Sequence, residues 1–164
     1  LKNLDYSSSN GRLHFANNRL AVTNDAQGII VFEENQSGDE LNQLFAFNLS
    51  GGNPQAVYVM EDAVIGGFSD DEGCYMALLE SNSNNVSNYI SFAEGYSVKA
   101  IDYSDGLIAL ATGNDGVQIY EFSGGNIVSP YGSISSGYAY DVKIKNNLVF
   151  VATRNGLEIY KIGI

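Results

Sequence analysis

The side chains able to do chemistry are few. His14 is the only histidine and Cys74 the only cysteine in 164 residues, so Ser-His-Asp, Cys-His and multi-histidine metal arrangements are excluded or reduced to one candidate. His14 lies between apolar strand neighbours, where Lys143 and Lys99 lie in later repeats, and reads as a strand-face residue. Cys74 opens an apolar strand directly after a turn glycine and reads as buried packing, not a reactive thiol. Gly51-Gly52, Gly66-Gly67 and Gly124-Gly125 lack the Lys-Ser/Thr and following helix of a phosphate loop, so they punctuate turns or a strand. Asp70-Asp71-Glu72 offers oxygen ligands without the alternating spacing of a calcium loop, which favours a solvated turn. Neither a metal nor a cofactor is expected. The sequons at Asn35, Asn48 and Asn85 are what 18 Asn and 17 Ser produce by composition alone.

What remains is a chemistry of carboxylates and tyrosines. Eight Lys plus Arg against 19 Asp plus Glu gives a net charge of −11, and between Leu20 and Val98 there are 12 acids and no base. Phosphate backbones and anionic membrane surfaces are held by clustered Lys and Arg, so both are poor partners. Asp25, Asp70, Asp71 and Glu72 are expected to give one rim a negative potential reaching about a Debye length, ~8 Å, attractive to basic protein patches or divalent cations. Tyr96, Tyr138 and Tyr140 come just before the first strands of repeats three and four, and in a propeller these connections are expected to share a face with the turns that carry Asp70, Asp71, Glu72, Asp115 and Arg154. Tyrosines beside carboxylates make recognition surface at small entropic cost, and packing between structural units is an equal alternative.

These residues must be positioned by strands. Alternating runs rich in β-branched and aromatic residues, such as Leu148 to Val151 and Val117 to Tyr120, are bounded by Gly, Asn, Asp and Ser, so the chain reads as all-β. Four segments end in a polar turn, a glycine and an apolar strand, with Gly28, Gly73, Gly116 and Gly156 spaced 45, 43 and 40 residues apart. Upstream of each lies a strand pair separated by a polar turn, as at Asn17-Asn18, Ser104-Asp105-Gly106 and Asn146-Asn147. Most of these residues tolerate the positive φ of tight hairpins. A variable fourth segment follows in three repeats, near Leu41 to Asn48, Val86 to Ala93 and Ile127 to Ile134. Four strands per ~42 residues is the period of a propeller blade.

The sequence therefore predicts a single all-β, propeller-like domain over 1–164. Its four repeats of about 41 residues, 12–49, 55–93, 96–134 and 138–164, are each a four-stranded antiparallel sheet. The last repeat lacks an outer strand and Leu1 to Tyr6 is spare, so this segment is expected to close the ring by pairing near Leu157 to Lys161. An arc of a larger propeller, or half of an eight-bladed dimer, is the rival. Ser37 to Glu40 has capping-box spacing before Leu41, Leu44 and Phe45, yet the repeat phase favours a strand there.

Tyr140 to Ala152, followed by Gly156 to Tyr160, resembles the LVIVD repeat of bacterial and archaeal surface propellers. Val98 to Ala111 with Gly116 to Tyr120 is similar, and Leu13 to Val22 with Gly28 to Phe32 is a weaker match. The second repeat departs from it, although Val64 to Phe68 is recognisable. The resemblance implies an exported or lipid-anchored component of the cell envelope or surface. With no catalytic constellation in view, the function expected is a non-enzymatic binding or scaffold module for a protein or glycan. The alternative is a carboxylate-based hydrolase or lyase acting in the central channel.

Overall fold

The computed structural model describes residues 11–49 and 52–163. They form 15 strands, in four antiparallel sheets that follow one another as successive blades of a β-propeller. Blade 1 is β1 (Leu13–Ala16), β2 (Arg19–Asn24), β3 (Gly28–Glu34) and β4 (Leu41–Phe47). Blade 2 is β5 (Pro54–Val59), β6 (Ala63–Phe68), β7 (Cys74–Leu79) and β8 (Val86–Phe92). Blade 3 is β9 (Ala100–Ser104), β10 (Leu107–Ala111), β11 (Val117–Glu121) and β12 (Ser129–Ile134). Blade 4 is β13 (Ala139–Lys145), β14 (Leu148–Thr153) and β15 (Gly156–Lys161). Among the described residues no helix is long and apolar enough to cross a membrane.

Each sheet follows chain order, and in blades 1, 3 and 4 the first hairpin turns on residues in the left-handed region: Asn17 and Asn18, Asp105 and Gly106, Asn146 and Asn147. Leu41 to Phe47 is the outer strand that the repeat phase favours over a helix. The Ser37 to Glu40 spacing serves a turn instead, in which the Ser37 hydroxyl and the Asn35 amide both donate to the Asp39 carboxylate. Those two bonds, Ser37 first, hold the Asp39 carboxyl below its ordinary range. In blade 3 the outer strand starts at Ser129, two residues later than the sequence suggests, and Ile127 lies exposed in the preceding turn. The pairing expected of Leu1 to Tyr6 lies outside the described residues.

Blades pack face to face through apolar clusters. Ile29, Val31 and Phe47 of blade 1 meet Val57, Val59, Val64 and Phe68 of blade 2. Ile65, Cys74 and Met76 of blade 2 meet Ile101, Ile108 and Leu110 of blade 3. Ala109, Val117 and Ile119 of blade 3 meet Val142, Ile144, Val149 and Val151 of blade 4. The middle of blade 2 is thin by necessity: a Cβ on Gly66 would lie 2.6 Å from Ile29 Cγ1, and one on Gly67 2.6 Å from Val98 Cγ1.

The repeated glycine has a structural cause. Gly28, Gly73 and Gly116 have φ of +80°, +76° and +72°, and a Cβ at each would collide with a carbonyl oxygen of the following outer strand or its end, on Phe47, Ala93 or Ile134. Gly156 also has positive φ, but nothing described lies within 4 Å of its Cβ position. Two penalties, left-handed backbone and steric clash, thus act in the first three repeats and one in the last. Gly116→Ala should lower the unfolding free energy by on the order of 3 kcal/mol, and Gly156→Ala by about 1–2 kcal/mol. Urea melts of both variants read the difference, and equal losses would remove carbonyl crowding as the reason for the repeat.

Candidate functional site: the central channel and its mouths

Counting back from each hairpin turn puts His14, Tyr58, Asp102 and Lys143 at the same register position of the four inner strands. This corrects the sequence alignment in one repeat, since Asp102 and not Lys99 is the counterpart of His14 and Lys143. Three of the four reach forward to the next inner strand. His14 Nδ1 accepts the Val59 N–H at 3.0 Å, and the Tyr58 hydroxyl donates to the Tyr103 carbonyl at 3.3 Å. Asp102 Oδ2 accepts the Ile144 N–H at 2.8 Å. Lys143 instead turns back, its Nζ 3.2 Å from Asp102 Oδ1. The His14 and Tyr58 rings stack with centroids 4.2 Å apart.

The four groups feel one another. Burial lowers the His14 pKa, the Lys143 charge lowers it further, and Asp102 opposes them. Burial, and then the Asp102 charge, raise that of Tyr58. His14 is thus held neutral, with Nδ1 unprotonated as its bond to Val59 requires. Asp102 has both oxygens engaged, one by a cation and one by a backbone amide. Among the described residues no group of three or more His, Cys, Asp and Glu side chains could hold a metal ion.

Two openings flank this ring of side chains. On the hairpin side, a groove of about 890 Å³ is lined by His14, Tyr58 and Tyr103 with Glu61, Asp62 and Glu80. Arg19 crosses it from blade 1 to blade 2, donating to Asn84 Oδ1 at 2.8 Å and to the Glu61 carbonyl at 2.9 Å. On the opposite face, a cavity of about 450 Å³ is lined by Arg12, Lys99, Lys143, Asp141 and Tyr140. Three of the eight bases in an acidic chain therefore line one channel mouth, and Arg154 stands near it, 5.3 Å over the Tyr138 ring.

The structure brings the predicted tyrosines to this face. Tyr138 and Tyr140 lie with ring centroids 4.7 Å apart, and the Tyr138 hydroxyl end covers Gly113 in the turn before Asp115. Tyr96 belongs to a neighbouring double loop: its carbonyl accepts the Gly73 N–H, the Asp71 carbonyl accepts the Gly95 N–H, and Asp71 Oδ1 accepts the Ser97 hydroxyl. Asp70 accepts the Ser69 hydroxyl. Asp70 and Asp71 both adopt positive φ, so these carboxylates shape the turn as well as charge it. Glu72 is half-buried beside them, and Asp115 lines a smaller groove with Ser133 and Ser136. Asp25 is exposed in the turn between β2 and β3 of blade 1. Cys74 is fully buried, and burial raises its thiol pKa. Tyr58, Asp102 and the cationic mouth escaped the sequence reading, although position relative to the hairpin turns would have found them.

No family model matches the chain, and no curated protein matches it. Among solved structures, the computationally designed protein Ika4 is similar with a TM-score of 0.70 at 13% identity, over 99% of this chain and 96% of that one. The designed protein Ika8 gives 0.66 at 12%, over 92% of this chain and 45% of that one. BamB from Moraxella catarrhalis gives 0.61 at 15%, over 93% and 43%. At these identities the likeness shows the fold, a β-propeller, alone.

The lowered His14 pKa links the channel to stability. Its folded value lies below its ordinary 6.5, so the unfolded chain binds more protons as pH falls through and below that value, and the stabilisation present above it is lost. Urea midpoints should drop between pH 7.5 and pH 5.5 in the native protein, and by less in His14→Gln. An equal drop in the two would show that His14 is not the titrating group.

Proposed function

We propose that the protein is a non-enzymatic binding module of the cell envelope or surface, recognising a protein or glycan through the face that carries Tyr138 and Tyr140. One observation carries this reading: a tyrosine pair, capped by an arginine, stands at the mouth of a cavity lined by Arg12, Lys99 and Lys143. Tyr140 is half exposed, so a ring face is available for contact. The tilted ring pair offers apolar area to a sugar ring or a side chain, while the bases offer charge-assisted donors to carboxylate or sulfate groups. An acidic glycan or an acidic peptide segment suits this mouth better than a neutral one. The envelope location rests on the resemblance of the repeats to those of surface propellers.

The competing reading is a carboxylate-based hydrolase or lyase, and at the ring of inner-strand side chains the carboxylate it would draw on is Asp102. Acid–base work by carboxylates needs a pair with separated roles, and Asp102 is tied by Lys143 and the Ile144 amide. The acidic rim keeps a separate part in the proposal. Asp70, Asp71 and Glu72 lie on the loop beside Tyr96 and would repel a polyanion approaching off-centre, steering acidic ligands toward the cationic mouth.

The intact protein, screened on a glycan array and in pull-downs from envelope extracts, should retain acidic ligands. Tyr138→Ala with Tyr140→Ala should then weaken binding about tenfold or more, ~1.4 kcal/mol, while Ile127→Ser leaves it unchanged. Binding that is indifferent to both tyrosines would overturn the assignment of this face. The triple change Asp70→Asn, Asp71→Asn and Glu72→Gln should preserve or strengthen binding of an acidic ligand. Weakening that vanishes at high salt would mean instead that the ligand is basic and sits on the rim. Turnover of any polysaccharide, abolished by Asp102→Asn, would defeat the non-enzyme reading.

A further inference from the structure

Three blade junctions are filled by apolar clusters, and among the described residues the fourth is not. By register, Leu13 and Phe15 of β1 are the counterparts of Val57 and Val59, of Ile101 and Tyr103, and of Val142 and Ile144, the residues with which each later blade meets the one before it. Leu157 and Ile159 of β15 are likewise the counterparts of Ile29 and Val31, of Cys74 and Met76, and of Val117 and Ile119, with which each earlier blade meets the one after it. Val57, Val59, Ile101, Val142 and Ile144 are 8% exposed or less, and the six counterparts on the third strands 2% or less. Leu13, Phe15, Leu157 and Ile159 are 69%, 54%, 67% and 56% exposed. The two halves of one repeating interface are present, one on each terminal blade, and among the described residues neither is filled.

The polar contacts show the same break. His14, Tyr58 and Asp102 each bond forward to the next inner strand, whereas Lys143, with blade 1 next in sequence around the ring, turns back to Asp102.

We propose that a second copy of this chain occupies the open junction, Leu157 and Ile159 of each copy packing against Leu13 and Phe15 of the other, so that two chains close one eight-bladed ring. Two such arcs form two equivalent junctions related by a twofold axis, and closure leaves neither face over, which limits assembly to the dimer. Exposed apolar patches of this kind on a terminal blade mark an interface. At the new junction the position of Lys143 matches that of Tyr58, whose hydroxyl donates to the Tyr103 carbonyl, so Lys143 becomes free to donate to the Phe15 carbonyl of the second copy. The binding face of the preceding subsection is then presented twice, which raises avidity for a polymeric ligand. The dimer itself does not depend on that reading.

Sedimentation equilibrium of the full chain should give twice 17.7 kDa. Leu157→Glu and, separately, Leu13→Glu should halve that mass with the far-ultraviolet circular dichroism of the parent. Each replaces an exposed side chain, so the monomer stays folded. Mixing the two variants should restore half-strength association through the one junction that is intact in the mixed pair, a result that a general loss of folding cannot produce. Removing residues 1–10 should leave the mass at the dimer value. A monomeric native chain, or a mass above the dimer, would overturn the proposal. So would a chain that dimerises only after residues 1–10 are removed, because that segment would then be what covers the seam.

Discussion

Burial of both faces of every sheet is the constraint on which the rest of the molecule depends. A four-stranded antiparallel sheet of this size has apolar side chains on two faces and cannot hide them by itself, so each blade is stable only between neighbours. Blade 2 shows the consequence most clearly. All six residues of β6 are buried, and its two glycines admit Ile29 from one side and Val98 from the other. With roughly 25 cal/mol per Å² of apolar surface removed from water, the three filled junctions hold most of the folding free energy. The inner blades therefore outrank the terminal ones in stability.

The same geometry creates the channel. Inner strands are sheet edges, with backbone groups that no fifth strand pairs, and polar side chains at one register position answer part of that demand in the adjoining blade. His14, Tyr58 and Asp102 perform one structural act with three different chemistries: a neutral imidazole accepting, a phenol donating, a carboxylate accepting. Repetition of the position without repetition of the residue explains how a propeller can acquire a distinctive channel while its blades stay alike. The polarity of the two openings follows from which residues flank that ring. Carboxylates line the hairpin side, while bases from blades 1, 3 and 4 meet on the other.

Much of the fold was legible because its signals are local and repeat. The glycine period could be read directly, since a left-handed turn and a crowding carbonyl exclude every other residue at Gly28, Gly73 and Gly116. The outer strand at Leu41 was decided against a local helix signal by repeat phase, and the structure agrees. The channel was less legible. The Val-Lys pairs at Val98-Lys99 and Val142-Lys143 look alike in sequence, but strand register is set by the hairpin turn, and Lys99 lies too far from its turn to match Lys143. Asp102 was passed over for that reason. The cationic mouth was hidden differently: its members come from three blades, so no window of sequence shows them together, while the acid-rich span between Leu20 and Val98 is contiguous and conspicuous.

The central claim is that one interface, built from the same repeat positions, joins every pair of adjacent blades, including the pair at the seam. A crystal structure of the intact protein tests it most directly. The account predicts eight blades from two chains, with Leu13 and Phe15 of each chain buried against Leu157 and Ile159 of the other and Lys143 bonded forward across the junction. A ring of four blades in which those residues cover one another within a single chain, or lie beneath residues 1–10, would contradict it.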